Sequence, residues 1–172
     1  MEKHEHSAQH DAGRVARHEG AARHHYLMFA VNMALSLVAM YLLMFSMIDG
    51  WSDFRNNLNT LYMALAMVAP MGVIMLATMG GMYANKRANL ALCVALLALF
   101  ALAFAGTRQQ TRVDDKQFIA SMIPHHSGAI LMCRESKLQD PELRQLCNQI
   151  STSQRREIEQ MNAIQARLNG KA

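Results

Sequence analysis

Charged residues vanish from three long stretches of this chain. His24–Ile48, Asn56–Asn85 and Ala88–Thr107 run for 25, 30 and 20 residues without a single Asp, Glu, Lys or Arg. A helix needs roughly 20 apolar residues to cross a ~30 Å hydrocarbon core. The pattern therefore predicts three transmembrane helices, over Tyr26–Ile48, Leu58–Met79 and Leu90–Gly106. Tyr26 sits at one expected interface and Trp51 just past the other, where aromatic rings favour the headgroup level. The third stretch is nearly pure Ala, Leu and Phe, and Cys93 is its most polar-leaning residue. A soluble bundle would need a large polar shell around these blocks. The first block follows a polar tail and is too long for a signal-peptide core, so it reads as an uncleaved first span.

Beyond Asp114 the pattern changes to that of amphipathic helices. Asp114 is an N-cap residue with Gln117 as its capping-box partner three residues on. Phe118, Met122, His125, Ala129, Met132 and Cys133 recur at three- and four-residue steps and share one face. Gln139-Asp140-Pro141 is a break and a restart, with Asp as cap and Pro at the first helical position. Leu143, Leu146, Cys147, Ile150, Gln154, Glu157, Met161, Gln165 and Leu168 then share the face of a second helix, which Asn169-Gly170 stops. A short turn makes the two helices antiparallel. Counting from the turn places Met132 near Cys147, Cys133 near Leu146, His125 near Gln154, Met122 near Glu157 and Phe118 near Met161. The expected organisation is all-α: a tail over 1–25, three transmembrane helices over 26–107 and an antiparallel helical hairpin over 108–172.

Composition sharpens this. The mean hydropathy of +0.02 hides the split between uncharged blocks and a charge-rich remainder. That split excludes a soluble nucleotide-binding fold, and neither G-x-x-x-x-G-K nor G-x-G-x-x-G occurs. Lys3, Arg14, Arg17, Arg23, Lys86 and Arg87 lie on one side of the expected membrane, against Arg55, Arg108, Arg112 and Lys116 on the other. The bias puts the N-terminus in the cytoplasm and the hairpin outside, which in a bacterium is the periplasm. From Arg108 onward ten Lys/Arg face seven Asp/Glu. This is a solvated surface, not a nucleic-acid footprint, and no aromatic interleaving supports one.

The candidate chemistry lies on the hairpin. His125 and His126 are adjacent, about 100° apart on a helix, and Met122 lies one turn before both. Glu157 and Met161 project to the same level from the second helix. Thioether with imidazole suits Cu(I) or Ag(I) better than Zn(II) or Mg(II). A carboxylate would help hold Cu(II) or orient an imidazole. Two histidines hydrogen-bonded in a packed helix pair are the plain alternative. Glu157 is costly on an apolar stripe unless paired. Pro124 frees the carbonyl of Ala120 and would kink the helix beside the imidazoles.

Phe118-Ile-Ala-Ser-Met-Ile-Pro-His-His-Ser-Gly-Ala-Ile-Leu-Met132, with Gln154-x-x-Glu157-Ile158-x-x-Met161, resembles the bacterial ferritin-like domain family that includes the CopM-type periplasmic copper-binding proteins. The resemblance covers Asp114–Leu168. It implies a helical bundle that binds copper through these Met and His positions. Many members carry two copies of the helix pair, which together make a four-helix bundle. Here there is one copy behind three spans, and a 55-residue hairpin buries little core. The expectation is a homo-oligomer, at least a dimer, in which two chains complete the bundle.

Fifteen methionines are present, and Met63, Met67, Met71, Met75 and Met79 repeat every fourth residue around Pro70 and Gly72. The first span adds Met28, Met33, Met40, Met44 and Met47. A thioether ladder for Cu(I) is one interpretation, and its Met-x-x-x-Met spacing is similar to that of eukaryotic-type Ctr copper transporters, in the opposite orientation. Flexible packing is the commoner use of Met. His4, His6, His10, His18, His24 and His25 make a tail that either binds metal or only solubilises. Cys93 is expected as inert packing. Cys133 and Cys147 are expected as a disulfide, free thiols or soft ligands.

The resulting expectation is a bacterial inner-membrane copper-binding protein in copper homeostasis or resistance, with copper as its bound metal. His125, His126 and Met122 are the foremost ligands, followed by Met161, Glu157 and Met132. A transporter using the Met stripe and a structural scaffold are the alternatives. Nothing points to an enzyme: a di-iron site needs Glu-x-x-His pairs, and Glu157 is followed by Gln160 and Met161.

Overall fold

A computed structural model describes residues 24–83 and 85–170. Those residues form helices and no strand. Helix α1, His24–Met47, tightens to a 3-10 turn at Met44–Met47. A connection containing a second short 3-10 turn, Trp51–Asp53, leads to α2, Leu58–Thr78. Helices α3, Lys86–Gln109, α4, Asp115–Glu135, and α5, Pro141–Asn169, complete the chain.

Helices α1, α2 and α3 are each long and apolar enough to cross a membrane. The third exceeds its expected length because Asn85 caps it early, accepting the amides of Arg87 and Ala88 at 3.1 Å. Lys86 and Arg87 thus lie in its first turn rather than before it. Phe29, Leu76 and Tyr83 are buried where the three helices meet, with Met33, Met75 and the free Cys93 packed around them. Gly72 makes this approach possible. A Cβ there would stand 2.8 Å from Met33 Cε and 2.9 Å from Leu96 Cδ1. Much of the remaining surface, such as Leu35, Leu90 and Leu102, is exposed. That suits an apolar solvent, since lipid tails are as apolar as Leu.

Helices α4 and α5 pack on each other through Ile119, Ile123, Ile130 and Ile158, flanked by Met161, Ile164 and Leu168. Asp114 and Asp140 cap them as expected, accepting the amides of Gln117 and Leu143 at 2.8 Å each. Gln117 does not close a capping box. Its Oε1 accepts the amide of Leu58 at 2.9 Å and so caps α2 instead. The buried row of α4 is also shifted by one residue from the expected one. Ile119, Ile123, His126 and Ile130 are buried, while Phe118, His125 and Met132 are exposed. On α5, Leu143 and Leu146 are exposed and Ile158 is buried. The shift has a simple cause. Helix α4 is apolar on two sides, one against α5 and one towards the apolar helices, and the sequence pattern merges them. Cys133 and Cys147 form a disulfide, with Cα atoms 5.4 Å apart.

The connection between α1 and α2 fastens α4 to the apolar helices. Ser127 is fully enclosed. Its hydroxyl accepts the Asp49 amide at 2.7 Å and donates to Asp53 Oδ2 at 2.6 Å. Next to it, a Cβ on Gly128 would come within 3.2 Å of the Met47 carbonyl oxygen. Asp49 also pairs with Arg134, and lies 3.6 Å from Arg155 Nη2. Arg55 donates to Asn162 Oδ1 at 3.2 Å. Asn59 donates to Ser121 Oγ at 3.2 Å and to Gln110 Oε1 at 3.0 Å.

Two outcomes are expected. Ser127→Ala strands the Asp49 amide and the Asp53 carboxylate and weakens this attachment by about 2 kcal/mol. Hydrogen exchange at the Asp49 amide reads the effect, and unchanged protection would contradict it. Replacing both Cys133 and Cys147 by Ala lowers the unfolding free energy by about 3 kcal/mol for a loop this short, measured by denaturant titration under oxidising conditions.

Candidate metal centre

Helix α4 presents its two histidines to different neighbours. His126 faces α5 and is 8% exposed. Glu157 Oε2 lies 3.2 Å from its Nδ1. The contact is not a hydrogen bond, and Nδ1 is buried without a hydrogen-bond partner. The contact becomes an ion pair only when the imidazole is protonated. The other carboxylate oxygen, Oε1, accepts from Ser153 Oγ at 2.6 Å, which holds the Glu157 side chain in place. Met161, one turn along α5, packs on the isoleucine cluster. Burial pushes the His126 imidazole below the usual histidine value near 6.5. The Glu157 charge opposes that shift, and the His125 ring adds a smaller push downward.

His125 points the other way and is exposed. Its ring centroid is 5.9 Å from that of His126, with the planes 61° apart. Together with Met122 and Met132 it lines a cleft of about 510 Å³ between α4 and the ends of α1 and α2. Met44, Met47 and Met63 line the same cleft.

The six expected ligands thus divide into two groups of three. His125, Met122 and Met132 share the cleft, while His126, Glu157 and Met161 lie on the α5 side. Among the described residues no three His, Cys, Asp or Glu side chains converge in a metal-binding cluster. Thioethers lie outside that set of side chains, and five of them line the cleft beside His125. Helix α4 runs unbroken through Pro124. Sequence reasoning missed Met44, Met47 and Met63 as neighbours of His125. The available signal was topological, since three spans bring the α1–α2 connection and α4 to the same end of the helices. In α2, Met63 and Met67 are exposed, Met71 and Met75 turn inward, and Met79 is exposed again. The stripe winds around the helix as a four-residue step requires. Of the histidine tail, His4, His6, His10 and His18 lie outside the described residues, whereas His24 and His25 begin α1.

The His126 environment gives a pH prediction. The folded value lies below the unfolded one, so the unfolded chain binds more protons between them. Stability is then full above pH 6.5 and falls as pH drops through the folded value. Imidazole NMR should place His126 below 6.5, and Glu157→Gln should lower it further. An unchanged value in that variant would show that the carboxylate contact is absent.

The family described as Domain of unknown function (DUF305) matches residues 101–165. The match begins inside α3, before the expected hairpin boundary. An uncharacterised protein of Acanthamoeba polyphaga mimivirus is 34% identical over 143 residues, covering 80% of this chain and 90% of that protein. A likeness of that extent necessarily includes α2 and α3 as well as most of α4. Neither description names a ligand or an activity. No solved structure matches. The chain belongs to the same family as the mimivirus protein, and its DUF305 match reaches from within α3 into α5.

Proposed function

We propose that this is a membrane-anchored copper-binding protein in copper homeostasis or resistance. The observation that carries this is the cleft that His125, Met122 and Met132 line together. One imidazole and several thioethers, reached from solvent, form a donor set suited to Cu(I). A methionine that merely fills a gap is buried in a core, yet Met132 is 56% exposed. His126 with Glu157 is a second donor pair, able to take the oxidised ion or to hold it beside the first set. The resemblance of the Met-Ile-Pro-His-His segment to the ferritin-like copper-binding family supports the same conclusion.

In this proposal α1, α2 and α3 span the membrane. The α4–α5 hairpin lies on the non-cytoplasmic side, which is the periplasm of a bacterium. The Cys133–Cys147 bond favours an oxidising compartment. A second copy completes a four-helix bundle. Phe118, Leu143 and Leu146, all substantially exposed, are the apolar surface available for that pairing. A transporter is the second reading, favoured by Met63, which belongs both to the cleft and to the Met stripe of α2.

The test is a titration of the full chain in nanodiscs with Cu(I) against a chromogenic competing chelator. His125→Ala combined with His126→Ala should weaken binding at least about tenfold, the equivalent of about 1.4 kcal/mol. Equal affinity in both proteins, or negligible binding in the parent, would favour a scaffold without metal.

A further inference from the structure

The cleft draws its donors from two parts of the chain that are far apart in sequence. Met122, His125 and Met132 belong to α4. Met44 and Met47 belong to the last turn of α1, and Met63 to the second turn of α2. Five of the fifteen methionines therefore gather in one cleft. Within the cleft Met47, Met63 and Met132 are exposed, and Met44 and Met122 are half-buried. Among the described residues lining it there is no carboxylate and no cysteine. Asn59 adds a polar atom with an unmet need. Its amide nitrogen donates to Gln110 and Ser121, while Oδ1 is enclosed without a hydrogen-bond partner.

We propose that this cleft is one soft-metal site shared between the apolar helices and α4, taking monovalent Cu(I) or Ag(I) and incomplete without Met44, Met47 and Met63. The proposal rests on the copper reading above and states where the ion sits. The charge argument selects the ion. Every donor named is neutral, so nothing in the wall balances a divalent cation, and the cost of desolvating an ion rises steeply with its charge. Thioethers bind soft monovalent ions and leave Zn(II) and Mg(II) to nitrogen and oxygen donors. Methionine side chains are flexible, but Met122 and Met132 stand about 15 Å apart along α4. One ion therefore takes only one of these two and seats nearest Met122 and His125, which lie one turn apart. The attachment of α4 through Ser127 and Gly128 holds the two half-sites against each other.

The experiment uses the full chain in nanodiscs with Cu(I) as the probe. Three variants are compared with the parent. One carries Met44→Leu, Met47→Leu and Met63→Leu; one carries Met122→Leu and His125→Ala; a control carries Met28→Leu and Met40→Leu, outside the cleft. Leu for Met conserves volume and folding. Affinity is read by chelator competition, and coordination by X-ray absorption at the copper edge. The expected result is a loss of roughly tenfold or more in each of the first two variants, with fewer sulfur scatterers in the first and parental behaviour in the control. Parental affinity and sulfur count in the first variant, with loss in the second, would overturn the shared site and leave copper binding by α4 standing. Indifference in both, or no binding by the parent, would overturn both readings. Loss in the control as well would show a general membrane effect and also overturn the shared site.

Discussion

The position of α4 depends on one hydroxyl group. Ser127 accepts the Asp49 amide and donates to the Asp53 carboxylate in the same enclosed spot. Only a group that both donates and accepts satisfies that pair. Alanine would leave two polar groups stranded, and a larger side chain would not fit a site with no free surface. Gly128 completes the contact by letting the Met47 carbonyl come close. The pairing of Asp49 with Arg134 follows from this placement, as does the cleft beside it. The Ser-Gly dipeptide directly follows the two histidines, so anchoring and candidate chemistry occupy consecutive residues.

That arrangement explains why two adjacent histidines have opposite environments. A step of 100° carries one imidazole to α5 and the next to the apolar helices. His126 is enclosed beside a carboxylate and loses proton affinity by burial. His125 stays open among thioethers. The same packing accounts for the apolar residues around nearly the whole of α4.

Much of this was legible in the sequence. The absence of charge marked α1, α2 and α3, and the acids at positions 114 and 140 marked the starts of α4 and α5. Cys133 and Cys147 were near enough to the turn for a bond to be one of the expected outcomes. The buried row of α4 was misplaced by one residue because periodicity cannot separate two apolar faces that together exceed half a helix. Gln117 was misassigned for a related reason. Spacing says which amide is local, but the unsatisfied amide of Leu58 was closer in space. The cleft methionines were invisible as a group, since their proximity arises from contacts between residues some 60 to 80 positions apart.

The cap that Gln117 supplies to α2 has a bearing on how the chain matures. The first amide of a helix has no partner within the helix, and Leu58 obtains its partner from a residue 59 positions later. During synthesis α2 emerges well before α4 exists. The Leu58 amide therefore waits for its partner until the carboxy-terminal helices have folded and docked, whereas Asn57 caps Thr60 from within the same segment. A chain truncated before α4 would leave the Leu58 amide to water, with the Asn57 cap of Thr60 intact.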